Sequence, residues 1–306
     1  MIVIPPVKIE GSKLVSSTIA EPDTGEVVWN ASTSYSPGDV VIRTTTHRKY
    51  ENVAASSGID AGLPESTPAR WLDVGPTNKY AMFDQSGSMP SVASSGSLSV
   101  RISPGQRIDS LALTGVQANT VTITMYVGST VEYGPVVINM SGRTTNTWSQ
   151  YFFGVFLYKN TLVLQDLPPY ASAEVQIDFN NPSGAVKCSG VVIGTKIYLG
   201  KTQYTAKDDS LNFSIITRDE FGNSTLTPRR TVPKSSQTLW CEKTNVNNAR
   251  LARKLLNAVP AFWSGLDDKY SDDYFEAVSL YGIYKQFEID IGQPDVATIN
   301  LELEEL

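Results

Sequence analysis

The sequence is poor in the residues that most often build metal and redox sites. It contains one histidine, His47, and two cysteines, Cys188 and Cys241. A zinc motif that needs two histidines is therefore excluded, and a metal site would have to rely on carboxylates and thiols. Synthesis in a reducing cytoplasm favours free thiols over a disulfide between the two cysteines. His47 stands beside Arg48 in a turn-like stretch, where we expect it to face solvent without a chemical role.

Long hydrophobic runs and blocks of like charge are also missing. No apolar segment reaches the ~18–20 residues that a membrane-spanning helix needs, so membrane insertion is not expected. The segment Met1 to Pro6 lacks the basic and apolar regions of a secretory signal peptide. The net charge of -6 is spread along the chain, and the short basic cluster Arg229, Arg230 and Lys234 lacks interleaved aromatic residues. Nucleic acid is therefore not expected as a partner.

Catalytic signatures are equally scarce. The sequence has no Gly-x-Ser-x-Gly elbow, Walker motif or dinucleotide-binding glycine pattern. Three acidic pairs occur, Asp208–Asp209, Asp267–Asp268 and Asp272–Asp273, and paired carboxylates can serve a glycosidase or bind calcium. Adjacent residues on a loop point in different directions, however, and the stretch 267–273 lacks the spacing and glycine of an EF-hand loop. We therefore predict no catalytic residue, no metal site and no cofactor, and we do not expect an enzyme.

The composition is typical of strands joined by many turns. Apolar residues make up 41% of the chain and charged residues 18%, and Ser, Thr, Asn, Gly and Pro are abundant. We predict a mainly β protein in four parts. These are an N-terminal arm (1–28), a small three-stranded module (29–75), a jelly-roll-like β-sandwich (76–194) and a β-rich C-terminal domain with one helix (195–306).

The sandwich prediction rests on strand candidates that recur every ~8–15 residues, with Gly, Pro or Asn between them. Alternation of apolar and polar residues from Val121 to Val127 indicates a strand with one buried face. The stretch from Tyr151 to Tyr158 is counted as another strand of this series.

The helix of the C-terminal domain is predicted near residues 245–259. Leu251, Leu255 and Val259 recur at helical spacing on one face, and Pro260 ends the helix. A helix with such an apolar stripe needs a sheet or a neighbouring subunit to cover it.

Both ends of the chain contain strand-like segments, over 1–19 and 296–306, whose apolar residues have no obvious local partner. Unpaired strand edges invite pairing with another chain. We therefore expect at least one terminus to lie against a neighbouring subunit or another protein and to add backbone hydrogen bonds across that interface.

Four aromatic residues dominate the small module, namely Trp29, Tyr35, Tyr50 and Trp71. Because a flat ring can stack on the C–H face of a sugar, these are the candidate carbohydrate-binding residues. The same rings are the main source of buried area in so small a domain, which favours core positions for Trp29 and Trp71. Tyr35 and Tyr50 are open to either role.

The order of these residues resembles the chitin-binding type of carbohydrate-binding module. The pattern consists of Trp29, the turn Tyr35-x-x-Gly38-Asp39-x-Val41, the pair Lys49–Tyr50 and the closing Trp71. It covers about one seventh of the chain. The resemblance implies a carbohydrate-binding role for this module.

Later segments are similar to a family of phage and prophage tail proteins. They include Gly75 to Asp84, Leu167 to Tyr170, Asp219 to Gly222, Tyr281 to Phe287 and Leu301 to Leu306. This resemblance implies a structural virion component of the tail tip or baseplate, made in the host cytoplasm. Other tail proteins and further copies of the chain, arranged in a ring, would then be its partners.

Two other functions stay open from the sequence. A receptor-binding protein would use the small module to contact a host-surface glycan during adsorption. A polysaccharide depolymerase would need two carboxylates facing each other across a groove at ~5–10 Å.

Overall fold

The computed structural model describes residues 1–59, 62–86, 89–142, 147–154, 157–265, 276–293 and 295–306. The chain is mainly β, with several sheets and little helix, which confirms the predicted fold class.

The N-terminal arm contains two short strands that join different sheets. They are β1 (Ile2–Ile4) and β2 (Leu14–Ser17), separated by a 3-10 turn at Gly11–Lys13. β1 enters a sheet of the C-terminal domain, and β2 forms an edge of a sheet in the sandwich. The arm therefore ties these two parts of the chain together.

The small module is built around an antiparallel three-stranded sheet. The module as a whole has five strands and a 3-10 turn at Pro64–Ser66. The strands are β3 (Ser34–Tyr35), β4 (Val40–Arg43), β5 (Arg48–Asn52), β6 (Gly58–Ile59) and β7 (Trp71–Pro76). The sheet has the order β4-β5-β7, and β3 pairs with β6 beside it. Its core consists of Tyr35, Val41, Tyr50 and Trp71, with Trp29 packed against them.

The sandwich follows a 3-10 turn at Ala81–Phe83 and has two main sheets. Its elements are β8 (Ser91–Ala93), β9 (Ser97–Ile102), β10 (Ser110–Thr114), β11 (Thr120–Val127), β12 (Thr130–Asn139), β13 (Ser141–Gly142), α1 (Trp148–Phe153), β14 (Leu157–Tyr158), β15 (Leu162–Leu164), β16 (Ala173–Asn180), β17 (Val186–Cys188) and β18 (Gly190–Gly194). A five-stranded sheet, β12-β11-β16-β9-β2, faces a three-stranded sheet, β15-β10-β18. Alternation along β11 puts Val121, Ile123 and Met125 into the shared core.

The prediction of a strand over 151–158 is wrong for residues 151–153, which belong to the short helix α1, and is confirmed for Leu157–Tyr158, which form β14. Residues 155–156 of this stretch lie outside the described residues. Thr147 caps this helix, its hydroxyl oxygen accepting the Gln150 backbone N–H at 3.2 Å. The capping geometry satisfies a donor that would otherwise lack a partner at the helix start. Local side-chain chemistry thus outweighs the β preference of the aromatic residues that follow.

The C-terminal domain is dominated by one eight-stranded sheet. Its elements are β19 (Ile197–Tyr198), β20 (Lys201–Thr202), β21 (Lys207–Asn212), β22 (Ile215–Arg218), β23 (Ser224–Thr227), β24 (Thr231–Glu242), a 3-10 turn (Lys243–Asn245), α2 (Val246–Leu255), β25 (Ala261–Ser264), β26 (Ser279–Asp290) and β27 (Val296–Glu305). The order is β19-β1-β25-β26-β27-β24, and β20 and β21 both pair with β24.

The terminal strands β1 and β27 have both edges paired within the chain, whereas β2, in the same N-terminal segment, has a strand partner on one side only within the described residues. Pairing of a terminus with another chain therefore stays a prediction for β2 and is not needed to pair β1 or β27. β27 lies between β24 and β26, and β1 lies between β19 and β25. The partners are distant in the sequence, which is why local patterns left these strands without one. The apolar residues Ile299, Leu301 and Leu303 pack inside the domain core.

The predicted helix forms, but it buries a different face from the expected one. α2 runs over Val246–Leu255, and its buried side chains are Ala249 and Ala252, followed by Leu256 just past its end. Leu251 and Leu255 stay exposed. Small alanine side chains let the helix approach the sheet closely, and the leucine stripe is left on the outer side.

The three-stranded sheet of the sandwich is covered on both faces. Leu111 and Leu113 of β10 point into the sandwich core, whereas Ala112 between them joins a second cluster. That cluster contains Ile2, Ile4, Ala112, Val163, Val192 and Phe262. The sandwich and the C-terminal sheet are therefore packed against each other through β1 and β25.

Candidate functional site

Three of the four predicted sugar-binding rings lie inside the small module. Tyr35 and Tyr50 are each 5% exposed and Trp71 is 2% exposed. The rings of Tyr35 and Trp71 meet edge to face with centroids 5.1 Å apart. Buried rings have no face free for a sugar. The burial agrees with the core position favoured for Trp71, and it places Tyr35 and Tyr50, which were open to either role, in the core as well. Their chemistry is that of a small aromatic core.

Trp29 is the remaining candidate, and its surroundings restrict it as well. Its indole N–H is buried. The Arg43 guanidinium lies 5.0 Å from the ring centroid and donates two hydrogen bonds of 3.2 Å to the Glu65 carboxylate. This pair holds the cation over the tryptophan face. A sugar ring would have to displace Arg43 in order to stack there.

His47 differs from the solvent-facing turn residue that was predicted. It does lie in the turn between β4 and β5, with a left-handed backbone at φ 55°. Its ring, however, stacks on Tyr80 at a centroid distance of 3.9 Å, and its Nδ1 lies 2.8 Å from the Glu21 carboxylate. Burial raises the pKa of the Tyr80 hydroxyl. These contacts connect the module to the arm and to the sandwich.

Acidic residues of the arm complete this connection. The Glu21 carboxylate also accepts the Thr77 hydroxyl at 2.8 Å, and Glu26 accepts the Asn78 backbone N–H at 3.0 Å. Glu26 additionally forms a 3.1 Å ion pair with Lys49 of the module. The module is thus fixed by hydrogen bonds at its joint, and neither Glu21 nor Glu26 stood out in the sequence.

A cluster of four exposed aromatic residues belongs to α1. Trp148 is 80% exposed and Phe153 is 85% exposed, and Tyr151 and Phe152 are also open to solvent. Trp148 stacks on Phe152, one helical turn later, with centroids 6.4 Å apart and planes at 22°. The four rings contact one another and form an exposed aromatic patch. In the sequence, this patch could have been recognised from the spacing of the four aromatic residues at positions 148, 151, 152 and 153.

A second exposed element is the hairpin β22–β23. Its two strands pair only with each other within the described residues, and all residues from 215 to 230 are exposed. At its tip, Asp219 accepts backbone N–H groups of Phe221 and Asn223 and the side-chain amide of Asn223. These hydrogen bonds, that of the Asn223 side chain first, lower the pKa of Asp219. The tight turn presents Phe221, which is 88% exposed.

Of the three acidic pairs, the structure describes only Asp208–Asp209. Asp208 and Asp209 lie on β21 and border a cleft of about 710 Å3 beside the sandwich, together with Glu276 and Glu305. Burial raises the pKa of Glu305, and nearby Arg230 opposes that shift. The pairs 267–268 and 272–273 lie outside the described residues. Within the described ranges, no group of three or more His, Cys, Asp or Glu side chains is placed to hold a metal ion.

Both cysteines are free and buried, as expected from the sequence. Burial raises the pKa of the Cys188 thiol to about 12. A thiol that stays protonated at neutral pH is a poor nucleophile, so Cys188 acts as an apolar core residue.

No protein-family model matches the chain, and no curated protein matches it either. In the part of the chain that the structure describes, no helix has the length and apolar character needed to cross a membrane.

Proposed function

We propose that this chain is a structural, non-enzymatic component of a bacteriophage tail, placed at the tail tip or baseplate. The observation that carries the proposal is the apolar surface on its projecting elements. α1 and the hairpin β22–β23 hold large aromatic and aliphatic side chains in water. Contiguous exposed apolar patches usually mark protein–protein contacts. In a tail, neighbouring subunits would cover these patches.

The proposed function implies both the partners of the protein and its location. Other tail proteins and further copies of the chain, in a ring, would bury α1 and the hairpin, and the protein would reside in the virion. The small module would serve as a fixed structural part, because its rings form a core and its joint is held by Glu21 and Glu26.

A second candidate function is adsorption to a host-surface glycan, and the α1 patch is the observation that favours it. Trp148 and Phe153 offer accessible rings, which the small module does not. Aromatic faces stack on sugars as well as on proteins. Under this candidate the glycan site would be α1 rather than the module.

One experiment separates these functions. Trp148, Phe152 and Phe153 are replaced together by serine in the phage, with Tyr204→Ser as a control because Tyr204 is a fully exposed aromatic residue elsewhere. The structural proposal predicts that the triple variant is made but poorly incorporated, so that tails are missing or short in electron micrographs. Immunogold labelling of wild-type particles should place the chain at the tail tip or baseplate.

Absence of the chain from purified wild-type particles would overturn the structural proposal. Normal particles that carry the triple variant, yet adsorb to host cells at least about tenfold more weakly, would favour the glycan function. That factor corresponds to ~1.4 kcal/mol of lost binding free energy.

A further inference from the structure

The outer side of α2 forms an apolar groove with the edge of the eight-stranded sheet. The groove has a volume of about 810 Å3, and Tyr198, Leu251 and Leu255 line it together with Lys196 and Lys254. Both leucines and Tyr198 are exposed. The groove therefore offers an apolar floor with a positively charged rim.

The hairpin tip has the complementary character. Residues 219–222 hold two carboxylates and no base, and the Phe221 side chain among them is exposed to solvent. Arg218 precedes the tip, so the local charge is modest. Helix α2, in contrast, carries Arg250, Arg253 and Lys254 and no acidic residue. An acidic tip with an aromatic side chain thus matches a basic rim around an apolar groove.

The two surfaces lie too far apart to meet within one chain. The ribbon formed by β21 and the start of β24 continues into the hairpin, so the hairpin leaves β24 at its first residues. The last residue of β24 leads through a 3-10 turn into α2. β24 has 12 residues, which corresponds to ~40 Å at 3.3 Å per residue. The groove also lies beside β19, at the opposite edge of the sheet from β21.

We propose that the hairpin tip of one copy inserts Phe221 into the α2 groove of a second copy. Glu220 would then approach Lys254, and the leucine stripe would lose its exposure. The inference extends the proposed structural function by naming the neighbour that covers the hairpin. Because the two surfaces differ, the contact is head-to-tail, and repeating it gives a closed ring if the rotation closes.

The contact should be weak between two copies. A phenylalanine buries ~150–250 Å2, far less than the ~1,200–2,000 Å2 of a stable interface. Each copy in a closed ring makes two such contacts, so self-association should rise steeply with concentration.

The test uses the full chain and two complementary variants. Phe221→Ser removes the aromatic side chain that would enter the groove. Leu251→Ser combined with Leu255→Ser removes the apolar floor of the groove. All three positions are exposed, so folding is preserved. Sedimentation velocity over increasing concentration should show oligomers beyond a dimer for the wild type. Each variant alone should self-associate at least about tenfold more weakly. An equimolar mixture of the two variants can form one contact per pair, so at the highest concentrations, where neither variant alone associates, it should give one-to-one dimers and no larger species.

Tyr204→Ser is the matched control, because Tyr204 is a fully exposed aromatic residue that lies outside the hairpin, α1 and α2. It should self-associate like the wild type. Glu220→Lys and Lys254→Glu supply an independent check: each should weaken association, and their mixture should restore it through the swapped charges. A monomeric wild type at all concentrations, oligomers that ignore the Phe221 and leucine changes, or variants that stay monomeric when mixed would each overturn the inference.

The docking inference and the proposed function can each fail without the other. Particles that contain the chain at the tail tip but assemble normally with Phe221→Ser would reject the docking alone. A chain that forms rings in solution but is absent from virions would reject only the tail assignment.

Discussion

At the scale of single residues, Glu21 has a central position in the joint of the small module. Its side chain is almost fully buried and faces His47 of the module and Thr77 of the following linker. A buried carboxylate without partners is unfavourable, and these contacts compensate for its burial. The joint is therefore specific rather than a loose hinge.

Replacing Glu21 by alanine should loosen this joint. His47 and Thr77 would lose an acceptor, and the loss of a buried hydrogen-bonded partner costs ~1–3 kcal/mol. Hydrogen exchange of the β4–β5 turn and of residues 76–80 should become faster in the variant. Glu10→Ala is the control, because Glu10 pairs with Lys8 on the open surface. Equal exchange rates in Glu21→Ala and in the wild type would contradict the role given to Glu21.

The four aromatic residues of the module illustrate how far sequence patterns reach. Their type and order correctly indicate a small three-stranded unit. Their exposure depends on which side of the sheet each ring occupies and on Arg43, which covers Trp29. That coverage is fixed by Glu65, 22 positions away in the chain. Such a distant pair leaves no local signal.

At the scale of elements, the hairpin β22–β23 depends on the turn that Asp219 organises. Asp219 must be ionised to accept all three of its hydrogen bonds at full strength, and its pKa is accordingly lowered. A carboxyl group with a lowered folded pKa contributes stability above its unfolded pKa. That contribution is lost as the pH falls through the folded value.

The hairpin turn should therefore loosen in acid. Between the ordinary aspartate pKa of ~3.9 and the lower folded value, protonation weakens the hydrogen bonds from Phe221 and Asn223. Amide exchange at these residues, corrected for the intrinsic effect of pH, should accelerate over that range. Asp219→Asn keeps the shape but cannot titrate, so its turn should respond little to pH in this window. Equal acid responses of the two proteins would argue against this account.

Two elements show why part of the fold is hidden from sequence patterns. β24 and β26, with 12 residues each, are the longest strands of the described chain. The inward positions of β24 include Ser235 and Gln237, so its apolar alternation is interrupted. The Gln237 side-chain NH2 group donates to the Ser235 hydroxyl and to the Val278 carbonyl, which only the folded sheet supplies, whereas its buried Oε1 has no hydrogen-bond partner among the described residues. β11, in contrast, alternates cleanly, and its predicted bounds, Thr120–Val127, match the structure.

At the scale of the whole molecule, the sandwich and the C-terminal sheet share a boundary that neither could form alone. Phe262 of β25 is fully buried there against Ile4 and against the outer face of the three-stranded sheet. Gly194 lies at the same boundary, and a Cβ there would approach the Pro5 carbonyl oxygen to 2.2 Å. The two layers are fitted closely enough to unfold together.

Phe262→Ala should separate their unfolding. A large-to-small change at a buried phenylalanine costs ~3–5 kcal/mol, and the loss falls on the contact between the layers. Calorimetry should show a lower melting temperature and a broadened or split transition. Phe153→Ala, at an exposed site, should leave the profile unchanged. A single sharp transition for Phe262→Ala at the wild-type temperature would contradict the coupling.

The position of β1 also determines how long this strand must wait for its partner strands during synthesis. Val3 pairs with Trp263, about 260 positions later. At ~5–20 residues per second, a ribosome needs roughly 13–50 s to deliver that partner. Until Ile197–Tyr198 of β19 are made, the nascent strand Ile2–Ile4 has neither neighbour, and unpaired apolar strands are prone to aggregation. Pro5 and Pro6 follow it directly. Because proline cannot donate to a ladder, a wrong partner could extend along only three residues before the pairing stops.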